Sequence, residues 1–389
     1  MRLAIAVVVT TLLVGLSARG VAPQNAPAEQ GGWNQEGAAK YLDDRMDAWF
    51  AGAKKLRTGQ GETPCISCHT AVPYALSRPA LRRAMHVTTP TPQEVRLLEG
   101  VIRRVETYDT HQLFYDFNEA KKPESRGTEA VINALVLASA DAEQNRREPS
   151  EPTRKALRRL WETQRPDGAW DWLDFGLEPF ESADAAYYGA TLAALAIGTA
   201  PASSTTQATD ATVGIEKLRG YLKDKFASQT LFNRAWVLLA STRLKDLLPG
   251  AQREALIAEI QRRQHDDGGW SLQALGTWTW GKPAWRARAP GTPDASLLAQ
   301  SDGYATGLIV YTLRTAGVPV EHPAVRTGSQ WLRAHQQDVQ VNQRMHHAWR
   351  AHSLNFDREH GGEKGEPWRR MFMSDSATAF AVLALVASD

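Results

Sequence analysis

Two kinds of helical segment alternate along this chain, and their alternation constrains the fold more than any other feature. One kind carries a single apolar stripe, as a surface helix does. The other is rich in Ala, Val, Leu and Ile with few charges, as a helix buried on every side is. The periodicity places outer helices at 37–56, 92–107, 153–164, 212–226, 251–264 and 323–337, and inner helices at 70–85, 128–140, 183–198, 231–242, 303–316 and 376–387. No segment sustains the period-2 alternation of a half-buried strand. Six helices of each kind predict an all-α fold, an (α/α)6 toroid of alternating inner and outer helices.

The joints between the two kinds carry their own patterns. Two outer helices end in Q-x-x-x-G-x-W, at Gln164-Arg165-Pro166-Asp167-Gly168-Ala169-Trp170 and at Gln264-His265-Asp266-Asp267-Gly268-Gly269-Trp270. A worn third copy, 325–337, ends in His335-Gln336-Gln337-Asp338 without the Gly-x-Trp. The inner helices open on polar residues, among them Glu129, Asp184, Asp302 and Asp375, whose simplest role is N-capping of a buried helix. Residues 199–212, rich in Ser, Thr and Ala, read as a surface linker. Trp278 and Trp280 sit in a long insertion, 271–300, which either lids the ring or packs onto it.

The two Gln…Trp segments resemble the QW motifs of the squalene–hopene cyclase, or terpenoid cyclase–prenyltransferase, superfamily. The resemblance extends by pattern over 35–389. It implies that each Gln meets the end of an outer helix and each Trp stacks beside it, tying neighbouring helices together. The catalytic part of the family pattern is absent. Squalene–hopene cyclases protonate their substrate with D-x-D-D-T-A, and the nearest counterpart here is Glu181-Ser182-Ala183-Asp184-Ala185-Ala186. Ala183 stands where the family has its proton donor, which argues against cyclase activity. The Asp, Cys and His zinc ligands of the prenyltransferases have no counterpart either, because both cysteines are spent in one motif.

Those cysteines are Cys65 and Cys68, the only two in the chain. A disulfide closing so short a loop would remove little chain entropy. A structural zinc site needs four ligands, and no second Cys/His pair stands at zinc-finger spacing. A redox dithiol of the thioredoxin kind belongs beside a βαβ pattern, which is not visible. His69 completes C-x-x-C-H, Cys65-Ile66-Ser67-Cys68-His69, the signature of c-type haem attachment. In that chemistry two thiols bond to the vinyl groups of one porphyrin, and the adjacent His reaches the iron as fifth ligand. The sequence therefore predicts one covalent haem c at 65–69, bound by Cys65, Cys68 and His69, with His69 the metal ligand. The motif fills the slot between first outer and first inner helix, where the QW segments sit in later repeats. Candidates for the sixth ligand are Met371, Met373, His346, His347, Met85 and His86, or none. A straight first inner helix would leave His86 roughly 25 Å from His69.

The N-terminus has a secretory pattern: Arg2, an apolar run over 3–16, and a small-residue cleavage site at Leu16-Ser17-Ala18. The run is shorter than the roughly 20 residues of a membrane span. Residues 1–18 are thus expected to be a signal peptide, 19–34 a disordered leader and 35–389 a single domain, periplasmic or secreted, with no membrane span after cleavage. A net charge of +2, from 45 basic and 43 acidic side chains, gives no reason to expect nucleic acid or an anionic membrane surface as partner. The expected partner is a redox protein, and a hydrophobic small molecule could occupy the central cavity. Together these features point to an exported monohaem c-type protein with an electron-transfer or haem-dependent redox role. The alternative is a squalene/terpenoid cyclase-like enzyme or lipid-binding module without haem.

Overall fold

The computed structural model describes residues 32–58, 61–112, 115, 118–201, 209–278, 295–341, 343–355 and 371–387. The expected signal segment, most of the expected leader and Trp280 lie outside them. The chain is mostly helical, and all twelve expected helices form. They are α1 (Gln35–Gly52), α2 (Ala71–Ala84), α3 (Pro92–Glu106), α4 (Lys121–Glu143), α5 (Glu151–Glu162), α6 (Ala185–Thr199), α7 (Thr209–Lys225), α8 (Leu231–Ser241), α9 (Gly250–Arg262), α10 (Gly303–Thr315), α11 (Pro323–Ala334) and α12 (Phe372–Val386). Among the described residues no helix is long and apolar enough to cross a membrane.

Local chemistry sets these boundaries. Thr91 and Glu94 form a reciprocal capping box at the start of α3, with Pro92 in its first turn. Ser150 and Thr230 accept backbone N–H bonds at the starts of α5 and α8. The burial patterns follow the two kinds of segment. In α3 the buried residues are Leu97, Gly100, Val101 and Arg104, and in α5 they are Thr153, Ala156, Leu157 and Leu160, one stripe in each case. In α6 and α12 nearly every residue is buried.

Neighbours along the chain pack together. α2 packs on α4, α4 on α6, α6 on α8, α8 on α10 and α10 on α12, and α12 packs on α2. On the other kind of helix, α1 covers α2, α3 and α5 cover α4, α7 covers α6, α9 covers α8 and α11 covers α10. Two short antiparallel hairpins interrupt the helices, β1 (Lys55–Thr58) with β2 (Gly61–Pro64) and β3 (Gln337–Val341) with β4 (Arg344–Ala348). They correct two expected boundaries: α1 stops at Gly52 and α11 at Ala334, and the chain continues as strand. Strands of four or five residues are too short to display a period.

The QW segments act as joints. Gln164 Nε2 donates to the Gly168 carbonyl and, across to α7, to that of Gly214, at 3.0 and 2.9 Å. Gln264 Nε2 donates to the Gly268 carbonyl and, on α11, to the Ala324 carbonyl and the Thr327 hydroxyl. The indoles of Trp170 and Trp270 each donate to a carbonyl near the end of their own outer helix, Leu160 and Ile260. The worn copy keeps a Gln and a Trp in the same roles. Gln336 exchanges two hydrogen bonds with the backbone of Asn34, the N-cap of α1. Trp349, arriving after the β3–β4 hairpin, donates to the Leu332 carbonyl of α11 at 2.7 Å.

Aromatic side chains from the inner helices and from Phe180 meet in one buried cluster. Tyr188 lies 5.2 Å from Trp236, Phe180 lies 5.8 Å from Tyr304, and Phe380 lies 5.4 Å from Trp236 and 5.5 Å from Tyr304, centroid to centroid. A cavity of about 430 Å³ has Trp236 and Phe380 in its wall. Each inner helix also contributes to it, through Ala80, Leu135, Leu195, Leu239, Tyr311 and Leu383.

Candidate functional site

The segment 65–69 runs from the end of β2 to the start of α2, and both of its flanks are anchored. On the β2 side Arg104 of α3 donates to the Thr63 hydroxyl and the Pro64 carbonyl, at 3.2 and 3.3 Å. Arg104 is held in turn by a two-pronged ion pair with Glu129 of α4, at 3.1 and 2.9 Å, both side chains buried. The Cys65 N–H donates to Lys54, and the Cys65 carbonyl accepts from the Trp49 indole at 2.6 Å. On the α2 side the Ser67 hydroxyl accepts the backbone N–H groups of Thr70 and Ala71, satisfying two donors of the first turn. The His69 carbonyl accepts from Ser376 of α12 at 2.8 Å.

Cys65 is half-buried, Cys68 is buried, and no disulfide joins them. Burial pushes the Cys65 thiol up to about 11, with Arg104 pulling it down and Glu181 raising it further. Burial also raises the Cys68 thiol well above its ordinary value, with Glu181 adding to the effect. A nucleophilic or redox-active cysteine needs the opposite, a depressed thiol in an electropositive setting. Among the described residues no group of three or more His, Cys, Asp and Glu side chains is arranged to hold a metal ion. Two thioethers and one imidazole do not require such a group.

His69 is held on three sides. Phe372 stacks on its ring at 3.9 Å and 17°, and Trp49 meets it edge-on at 5.2 Å. Its Nδ1 lies 2.9 Å from the Thr70 hydroxyl. Thr70 donates to Asp375 Oδ2 at 2.7 Å. Asp375 also takes Arg45 Nε at 2.6 Å, Arg45 Nη2 at 3.0 Å and the Tyr41 hydroxyl at 3.0 Å. Four donors fill the roughly four lone-pair positions of a carboxylate, so Asp375 is an acceptor only. The single Thr70 proton therefore goes to Asp375, and the Thr70 oxygen can only accept from His69. This places a proton on His69 Nδ1 and makes Nε2 the nitrogen that would ligate iron. Two unbridged thiols followed by an imidazole so prepared fit a covalently attached haem.

The expected sixth ligands are dispersed. Met371 and Met373 flank Phe372 in sequence, and the Phe372 ring lies on His69. Met85 and His86 lie just beyond the far end of α2, which runs unbroken through Pro79; at 1.5 Å per residue this is roughly 25 Å from His69. His346 Nε2 lies 3.1 Å from Asp44, and His347 Nδ1 lies 3.0 Å from Asp338.

The four carboxylates assigned to helix caps divide. Asp302 is a cap: its Oδ1 accepts from the Tyr304 and Ala305 N–H groups. Asp375 and Glu129 are not, since both spend their oxygens on buried arginines. Asp184 is exposed and makes no capping bond. Trp278 packs inward, donating to the Leu272 carbonyl and meeting Phe232 edge-on at 5.6 Å. Sequence reasoning missed Thr70, Trp49, Phe372 and the two arginines. Asp375 and Glu129 stand out in the sequence, but as helix caps. No family model and no curated protein matches the sequence.

Proposed function

We propose that this chain is an exported, monohaem c-type protein. Cys65 and Cys68 would hold the porphyrin through thioethers, and His69 would bind its iron through Nε2. Haem so bound supplies one-electron redox chemistry, and the proposed role is electron transfer or haem-dependent redox work in the periplasm or outside the cell, with a redox protein as partner. The observation that carries this reading is the His69 Nδ1 held by Thr70 and Asp375 directly after two unbridged thiols. The chain's own residues do three things there. Ser67 and Ser376 hold the segment, Trp49 and Phe372 enclose the imidazole, and Thr70 with Asp375 holds its Nδ1. Met371 and Met373 are the proposed sources of a sixth ligand, as the methionines that flank Phe372 at the start of α12. The test is a pyridine haemochrome spectrum on protein produced with c-type maturation machinery. A haem that stays bound through denaturation is expected, and a chain of unmodified mass would refute the reading.

We further propose that the twelve helices close as an (α/α)6 toroid of the terpenoid-cyclase kind. The supporting facts are the packing of α12 on α2 and the bridge from Gln336 to the start of α1. A second reading, a lipid-binding module without haem, is motivated by the cavity of about 430 Å³ whose wall joins Leu76, Leu135, Leu195, Trp236 and Phe380 to the polar groups of Arg83, Glu143 and Arg243. It predicts saturable binding of a hydrophobic small molecule that survives the double change Cys65→Ala and Cys68→Ala. Loss of binding in that variant would count against it.

A further inference from the structure

We propose that Asp375 is a positioning residue for His69, and that the relay His69–Thr70–Asp375 holds the bound iron toward its ferric state. The inference rests on the haem reading above and extends it to a property of the site, its redox poise. A hydrogen bond accepted from Nδ1 draws that proton away from the ring and makes Nε2 a stronger donor, which favours the more highly charged iron. The usual partner for such a proton is a backbone carbonyl or a carboxylate. Here the acceptor is a hydroxyl polarised by a buried carboxylate, reached in two short steps of 2.9 and 2.7 Å. Thr70 and Asp375 are both buried, so water does not compete for these bonds.

Arg45 determines how strong the effect can be. It sits on both Asp375 oxygens, so the carboxylate and the guanidinium nearly cancel at a distance. What reaches the imidazole is the hydrogen bond more than a net charge. Two substitutions separate these contributions. Thr70→Val deletes the relay and leaves the Arg45–Asp375 pair intact. Asp375→Asn deletes the carboxylate whose two oxygens face Arg45, and so makes the site more positive.

The experiment is spectroelectrochemical titration of the purified, haem-loaded, full-length protein and its variants, with the optical spectrum of each form recorded alongside. Thr70→Val is expected to shift the ferric/ferrous equilibrium about threefold toward ferrous. Asp375→Asn is expected to shift it further in the same direction, roughly tenfold, which is about 59 mV for one electron. Thr70→Ser should restore the wild-type value, an outcome that loss of packing alone would not give. A haem-loaded Thr70→Val protein with an unchanged potential would overturn this proposal and leave the haem reading standing. Wild-type protein without covalent haem would overturn both. Should neither variant fold, histidine-15N NMR of the wild type decides. A slowly exchanging His69 Nδ1 proton is expected, and rapid exchange with water would overturn the relay.

Discussion

Arg45 and Asp375 are separated by 330 positions and meet with both side chains 3% exposed. Charges removed this far from water are tolerated only as a satisfied pair. Arg45→Met should therefore destabilise the protein by about 3–5 kcal/mol, because it strands the carboxylate, and urea unfolding of the variant checks this. Asp302 behaves differently. Burial raises its carboxyl from 3.8 to about 6 despite the backbone N–H groups it accepts. The folded state thus keeps a proton that the unfolded chain has already released, and stability falls as pH rises from about 4 to about 6. Asp302→Asn keeps the capping oxygen and removes the ionisation. Its stability should stay flat across that window while the wild type loses on the order of 2–3 kcal/mol, readable from denaturant midpoints at several pH values. Asp302 was legible in the sequence because a cap is a local device. Asp375 and Glu129 were misread because their partners, Arg45 and Arg104, come from other helices, and nothing local distinguishes a capping acid from a paired one.

The helices were the most legible elements, since each outer stripe and each small-residue inner run repeats its own period. The joints were legible only where the motif stood intact. Gly168 and Gly268 are required at φ of +96° and +91°, and a Cβ at Gly168 would stand 2.2 Å from the Lys217 carbonyl on α7. Gly168→Ala should cost at least ~2 kcal/mol through conformation and collision together, visible as a lowered melting temperature. The third joint read as a worn copy because the β3–β4 hairpin separates its Gln from its Trp. Trp349 still reaches the end of α11 as Trp170 and Trp270 reach theirs. Function at such a joint depends on where the indole arrives, and a fixed spacing records that only when nothing is inserted. The β1–β2 hairpin was missed for a related reason. It is made of Lys, Arg, Thr, Gly and Glu with little apolar content, and it is held from outside by Arg104.

At the scale of the molecule, the pairing of α12 with α2 joins the end of the chain to its beginning. Both α2 and α10 bury side chains against α12. Deleting residues 371–389 should therefore abolish cooperative unfolding of the whole unit instead of trimming its stability, and calorimetry would show a broad or absent transition where the full chain has a sharp one. The contacts that complete the site are equally remote, with Thr70 and Asp375 305 positions apart. Contacts so distant in sequence form late, since the intervening chain must be ordered first. A ribosome delivers Cys68 long before it delivers Phe372, Asp375 and Ser376. Cys68 is 4% exposed in the folded chain, so covalent chemistry at that sulfur belongs to a window in time, open before folding is complete and shut once its surroundings have packed. A pulse of maleimide during refolding of unmodified chain would trace the closing of that window as a decay of Cys68 labelling.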